Sequence, residues 1–203
     1  MANLALQTGH VQQANDVADR LLNIDPSSIA ALRVKAMISL ARQKPDDAVD
    51  FARKIQAISP SDEVSAVVLA RVMAKRGKPQ DALALLDQTS RTTGDTIAIL
   101  MNEANIYRMM NEPRKAAPLL AKAASQYADP AVHLDEINLL YKLGDVDKAR
   151  QAAVALLVSG AGTLSDYLVL RRIWSEYDQK PIPATAITAI ARLKDPLAVT
   201  AVV

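Results

Sequence analysis

The sequence predicts an all-α protein in which antiparallel helix pairs stack in single file as an α-solenoid. One alanine recurs at steps of 34, 34, 34, 33 and 35 residues. Each of these alanines closes a turn-like cluster and precedes an apolar stretch, and no segment alternates convincingly with the period of a β-strand. A fixed period of this length indicates that one supersecondary unit recurs and buries its face against the next copy. The recurring alanines are Ala14, Ala48, Ala82, Ala116, Ala149 and Ala184.

The clusters before these alanines read as joints between two helices. Gly77-Lys78-Pro79 and Asn111-Glu112-Pro113 are typical, and Gln43-Lys44-Pro45 and Gln179-Lys180-Pro181 follow the same frame. Glycine or asparagine favours the left-handed conformation that ends a helix. Proline suits the first turn of the next helix, where its missing N–H has no intrahelical partner to lose. We therefore predict a helix–turn–helix unit at each joint.

Apolar residues between the joints follow helical spacing and place two helices in each repeat. Pro26, Pro60, Pro130 and Pro196 lie at or near the joints between repeats, and Asp129 is expected to cap the helix after it. Pro118 lies inside a predicted second helix, which should kink or start late. We predict first helices near 29–42, 63–76, 97–110, 131–143 and 165–178, and second helices near 12–23, 46–57, 80–91, 114–126, 146–158 and 183–194.

The chain resembles the tetratricopeptide repeat (TPR) family over essentially its whole length. The shared features are the 34-residue unit, the small residue of the second helix, a small residue of the first helix (Ala36, Ala70, Ala104) and the closing Asp-Pro or Ser-Pro. Ile137 and Arg172 replace that first-helix small residue in the last two units. The resemblance implies a right-handed superhelix with about six repeats and truncated first and last helices. We expect one array over 1–203, with repeats at about 1–28 (partial), 29–62, 63–96, 97–129, 130–164 and 165–196, and a further repeat beginning at 197–203.

Composition and charge argue against several classes of function. Net charge is +2 with the signs interspersed, so nothing requires nucleic acid or an anionic membrane. The chain has no cysteine, and its histidines, His10 and His133, lie far apart, so we expect no metal site and no cofactor. We find no nucleophile or phosphate-loop motif and predict that the chain is not an enzyme. No apolar run is long enough to span a bilayer and we recognise no signal peptide, which leaves cytoplasm and periplasm both open.

In the TPR family, first helices line the concave face of the superhelix and ligand peptides lie along it. Carried onto this chain, that implies a partner-binding groove in which Arg71, Asn105 and Asn138 form a row through three repeats. The cations of this groove, Arg71, Lys75 and Arg108, would favour acidic side chains of the peptide. The family's carboxylate clamp is not reproduced, because Arg33 is followed one turn later by Met37. The predicted groove residues are Arg33, Met37, Arg71, Lys75, Asn102, Asn105, Arg108, Asn138 and Lys142, with Val67, Met101 and Leu134 beside them.

These observations favour a non-catalytic scaffold that binds a peptide or protein partner as part of a larger, bacterial-style polypeptide. Secretion or envelope and surface assembly is an expectation by analogy with bacterial members of the family. Two alternatives stay open: single-stranded RNA binding by pentatricopeptide-like repeats, and a regulatory module attached to an enzyme or a DNA-binding domain. Both ends of the chain look like partial helices, so we expect an excised piece of a longer protein that could self-associate through its terminal helices.

Overall fold

A computed structural model describes residues 10–159 and 163–177. This part of the chain contains ten α-helices and no strand. The α-solenoid fold and its alternation of first and second helices are confirmed, and each observed helix lies within two residues of its predicted bounds. The helices are α1 (His10–Ile24), α2 (Ile29–Ala41), α3 (Pro45–Ile58), α4 (Glu63–Lys75), α5 (Pro79–Thr93), α6 (Ile97–Met109), α7 (Pro113–Gln126), α8 (Pro130–Lys142), α9 (Val146–Ser159) and α10 (Leu164–Tyr177). The predicted helix at 183–194 lies outside the described residues.

The joints between paired helices have the predicted left-handed backbone. Gln43, Gly77, Asn111 and Gly144 occupy equivalent positions, with φ values of 59°, 78°, 60° and 79°. Gln43 shows that this joint accepts a side chain, although the left-handed region favours glycine. Proline begins the second helix at α3, α5 and α7, as the sequence predicts.

The helix cap predicted at Asp129 is confirmed in the structure. The carboxylate of Asp129 accepts a hydrogen bond of 2.9 Å from the backbone N–H of Ala131 at the start of α8.

The expectation of a late start at Pro118 is wrong, because α7 begins at Pro113 and runs through Pro118 to Gln126. Pro118 is solvent-exposed, so its ring faces water within a helix held by the buried residues on its other side.

The chain divides into two compact units, Met1–Met110 and Asn111–Val203. In the first unit each described helix packs on its chain neighbour, and the first helices α2, α4 and α6 also contact one another in sequence. In the second unit α8 packs on α7 and α9, and the first helices α8 and α10 are in contact. Contacts between helices close in sequence are what a stacked-repeat fold requires.

Small residues lie where the helices of a repeat cross. Ala48, Ala82, Ala116 and Ala149 are all 0% exposed, and so are Ala36, Ala70 and Ala104 on the first helices. A methyl group at these positions allows two helix backbones to approach closely. Ala14 is exposed on α1, which contacts α2 alone among the described helices, and Ala184 lies outside the described residues.

Replacing Ala82 with leucine should destabilise the protein by about 1–3 kcal/mol, because three further carbons must enter a closed helix crossing. Ala82 is part of the buried cluster that also contains Ala70 and Leu86. Ala84→Leu, an exposed site on the same helix, is the matched control and should leave the urea midpoint nearly unchanged. Equal midpoints for the two variants would contradict the assignment of Ala82 to the crossing.

Candidate functional site

The first-helix face of the N-terminal unit is formed by three adjacent helices, α2, α4 and α6, and carries seven of the predicted groove residues. Arg33, on α2, donates hydrogen bonds from Nε (2.8 Å) and Nη2 to Oδ2 of Asp62. Asp62 is buried, and its other oxygen accepts the backbone N–H of Ser65 at 2.9 Å, so it caps α4 as well. The charge of Arg33 is therefore balanced within the protein, and the pair joins one repeat to the next.

Arg71 and Lys75 present cations on α4, the middle helix of this face. Both side chains are exposed, one helical turn apart, and neither has a hydrogen-bond or ion-pair partner within the described chain. The Arg71 guanidinium is desolvated by its surroundings even though the residue is accessible to solvent, and this burial lowers the pKa of Arg71. A partly dehydrated cation without a partner gains free energy when an acceptor binds it.

The remaining predicted residues of this unit differ in availability. Asn102 is half-buried and donates from Nδ2 to the backbone oxygen of Ala98 at 2.7 Å, so one of its two amide N–H donors is already used. Asn105 is exposed, and its Oδ1 accepts a long hydrogen bond of 3.5 Å from Nη1 of Arg108. Met37 is 40% exposed on α2 and adds an apolar contact surface. Asn105 is thus exposed on α6, the helix that packs beside α4 with its two cations.

The C-terminal unit has a groove of about 470 Å³ between its first helices, α8 and α10. Asn138 and Lys142, both predicted, line it from α8. The same groove is lined by Leu134, Asp135, Val169, Arg172, Ile173, Glu176 and Tyr177. The ring of Tyr177 stacks on that of Tyr141 with centroids 5.6 Å apart and planes 12° apart. Two anionic and two cationic side chains line the groove, so this surface is balanced in charge.

Sequence reasoning did not identify Asp135, Arg172, Glu176 and Tyr177 as groove residues. Asp135 had a detectable signal: it precedes Asn138 by three residues and Lys142 by seven, which places all three on one helix face. In the sequence, Arg172 stood out only because it replaces the small residue of the first helix. Its position in the groove depends on how α10 packs on α8, which the repeat pattern did not predict.

No group of three or more His, Asp or Glu side chains could hold a metal ion among the described residues. His133 is half-buried on α8; burial lowers its pKa, against a smaller opposing effect of Asp129.

No described helix is both long and apolar enough to cross a membrane.

The sequence matches known models of repeat families. One tetratricopeptide repeat model matches residues 1–63 and 101–163, which is more than half of the chain, and a second matches residues 64–88. The chain belongs to the tetratricopeptide repeat family. No curated protein sequence matches this TPR chain significantly.

Solved TPR structures share its fold. PilF of Pseudomonas aeruginosa is 22% identical, with a TM-score of 0.65 over 98% of this chain and 91% of that one. A thermophilic TPR protein from Thermus thermophilus is 17% identical, with a TM-score of 0.70 over 86% and 95% of the two chains. PilW, a type IV pilus biogenesis factor, is 18% identical, with a TM-score of 0.63 over 98% and 93%. At these identities the likeness concerns the fold alone.

The proposed row of Arg71, Asn105 and Asn138 falls in both units of this TPR chain. Arg71 and Asn105 lie on the neighbouring helices α4 and α6 of the first unit, whereas Asn138 lies in the α8–α10 groove of the second. The structure therefore brings the first two onto one face. A continuous row through all three remains a prediction.

Proposed function

We propose that this TPR chain is a non-catalytic scaffold whose first-helix face in the N-terminal unit binds an extended, acidic segment of a protein partner. Membership of the family and the helical fold support protein–protein interaction in general. The acidic character is our inference from Arg71, the partly desolvated guanidinium that has no partner within the described chain. Lys75 one turn away adds a second cation to the same face.

The contrast between Arg33 and Arg71 supports this assignment. Both residues lie on adjacent first helices, but Asp62 neutralises only Arg33. An acidic peptide would supply to Arg71 the acceptor that Asp62 supplies to Arg33. The exposed amide of Asn105 on the next helix could then bond a peptide carbonyl or N–H, as extended peptides require.

Binding can be tested with a fluorescein-labelled peptide of alternating glutamate and alanine, eight residues long, against its glutamine counterpart. We expect the acidic peptide to bind about tenfold more tightly, since charge-assisted hydrogen bonds are the stronger ones. The double variant Arg71→Ala/Asn105→Ala should lose about tenfold in affinity while its circular dichroism stays unchanged. Fluorescence anisotropy at two salt concentrations measures both effects.

Arg91→Ala is the matched control, because it removes one cation from the second helix α5, where Arg91 pairs with Asp87. This control should bind the acidic peptide as the unaltered protein does. Equal affinity of the two peptides, or full binding by the double variant, would contradict an acidic partner on this face.

We further propose that the scaffold serves assembly at the bacterial envelope or surface. The fold likeness to PilF and to the pilus biogenesis factor PilW motivates this proposal. Affinity capture from the native cell, with Arg71→Ala/Asn105→Ala as the negative control bait, would test it. Recovery of envelope components by the unaltered bait alone would support the proposal, and recovery of cytoplasmic proteins alone would contradict it.

A further inference from the structure

A second groove of the C-terminal unit lies between two second helices, on a different side of α8 from the α8–α10 groove. The helices α7 and α9 both pack on α8 but do not contact each other, which leaves a cleft of about 490 Å³ along α8. Its floor is made by His133, Glu136 and Leu140 of α8. Its walls are Ala121, Ala124 and Ser125 of α7 and Lys148, Gln151, Ala152 and Ala155 of α9. We call it the α7–α9 groove.

Glu136 at the floor of this groove is a carboxylate that forms no ion pair with any described residue, although Lys148 lines the same groove. It is half-buried, and no described residue donates a hydrogen bond to it or forms an ion pair with it. Loss of solvent around it raises the pKa of Glu136. An unpaired charge that has lost part of its hydration costs free energy, which a cationic ligand would recover.

The same position in an earlier repeat shows how the protein satisfies a charge there. Lys35 precedes Ala36 as Glu136 precedes Ile137, and it lies in the equivalent cleft between α1 and α3. Its ammonium donates to Asp19 at 2.7 Å and to Asn15 at 3.0 Å, both on α1, and lies 5.9 Å from the ring centroid of Phe51. In that repeat the neighbouring helices supply both the counter-charge, Asp19, and an aromatic side chain, Phe51, that lines the cleft.

The α7–α9 groove lacks these groups at the equivalent positions. Ala121 lies five residues after Ala116, as Asp19 lies five residues after Ala14, so the counter-charge is replaced by a methyl group. Ala152 likewise replaces Phe51, and Ala155 replaces Lys54. The cleft is correspondingly larger, at about 490 Å³ against about 390 Å³ for the cleft between α1 and α3.

We propose that the α7–α9 groove binds an arginine side chain of a protein partner, with its guanidinium on Glu136 and its methylenes between Ala121 and Ala152. A guanidinium suits the site better than an ammonium, because it is more weakly hydrated and presents several donors in one plane. The side-chain oxygen of Gln151 is a second acceptor on the wall. Lys148, exposed and without a partner within the described chain, lies at the same groove and selects a segment with an acidic residue beside the arginine.

The test uses Nα-acetyl-L-arginine N-methylamide as the probe and the uncharged citrulline analogue as its isostere. Titration of the ¹⁵N-labelled protein should give saturable shifts at the amides of Ala121, Glu136 and Gln151, with citrulline binding at least about tenfold more weakly. Amides near Arg71 and Asn105 should not move, which separates this site from the acidic-peptide face. Equal shifts from both probes, or no saturation with arginine at tens of millimolar, would overturn the proposal.

Two variants test the role of the carboxylate itself. Glu136→Gln should lower the affinity for the arginine probe at least about tenfold, whereas Glu176→Gln, the same change in the α8–α10 groove, should have no effect. Ala121→Lys would supply a cation from the position equivalent to Asp19, and it should abolish probe binding with Glu136 still present. Unchanged arginine binding by either Glu136→Gln or Ala121→Lys would contradict a guanidinium site at Glu136.

Discussion

Replacing Asp62 with alanine is expected to lower the free energy of unfolding by about 2–4 kcal/mol, as loss of a buried, hydrogen-bonded carboxylate usually does. The carboxylate caps α4 through the N–H of Ser65 and binds the guanidinium of Arg33 on α2, the preceding first helix. Its side chain is fully buried, whereas that of Arg33 is 47% exposed. The variant therefore leaves an unsatisfied N–H at the start of α4 and removes the polar link between two repeats.

Two companion variants separate the two roles of Asp62. Asp62→Asn retains an acceptable helix cap and loses the charge, so it should cost less than the alanine variant. Arg33→Ala leaves the buried carboxylate without its cation and should also destabilise the protein. Urea denaturation of all three measures the contributions. A loss below about 0.5 kcal/mol for Asp62→Ala, the range of ordinary surface substitutions, would show that the link does not stabilise the stack.

Ile137→Ala is the second change with a large expected effect, about 2–4 kcal/mol, because it opens a cavity in a closed core. Ile137 is 0% exposed in the cluster that also contains Ala149, Ala153 and Tyr167. It stands where Ala36, Ala70 and Ala104 stand in earlier repeats, so a large side chain occupies a position that the family reserves for a small one.

The partner helix explains how the C-terminal unit accommodates this isoleucine. Ala153 on α9 stands where Leu86 stands on α5, and Leu86 packs in one cluster with Ala70. In the α8–α9 pair the large residue is on the first helix and the small one on the second, which is the reverse of the α4–α5 pair. The double variant Ile137→Ala/Ala153→Leu should recover at least half of the stability that the single variant loses, since core volume is restored. Additive losses in the double-mutant cycle would contradict this exchange.

Residues close in sequence were the ones whose structure could be predicted well. Helix ends at Gly77 and Asn111 and the cap at Asp129 depend on neighbours a few residues away, and the buried alanine at Ala82 was marked by the repeat period. Pro118 was the exception: its local signal predicted a kink or a late start, and the late start is wrong because α7 runs from Pro113 through Pro118 to Gln126. Where a local rule and helix packing disagreed, packing decided the helix.

The candidate sites were harder to predict because they depend on partners distant in sequence. Arg33 looked like an available groove cation, but Asp62, 29 residues later, neutralises it. Asp135 and Glu136 are adjacent acidic residues in the sequence. Adjacent residues of a helix point in different directions, so Asp135 lines the α8–α10 groove and Glu136 the α7–α9 groove.

The order of amino acids alone determined the repeat and the helix boundaries, because the signals that start and end a helix act within one or two turns. The small residues at the crossings could be located from the sequence because they recur with the repeat period. The packing of helices in space decided which charges have partners. Lys35 gains Asp19 and Asn15 from the preceding helix, while Glu136 faces Ala121. Ion pairs form over a few ångströms, and only the folded chain brings residues from different helices within that distance.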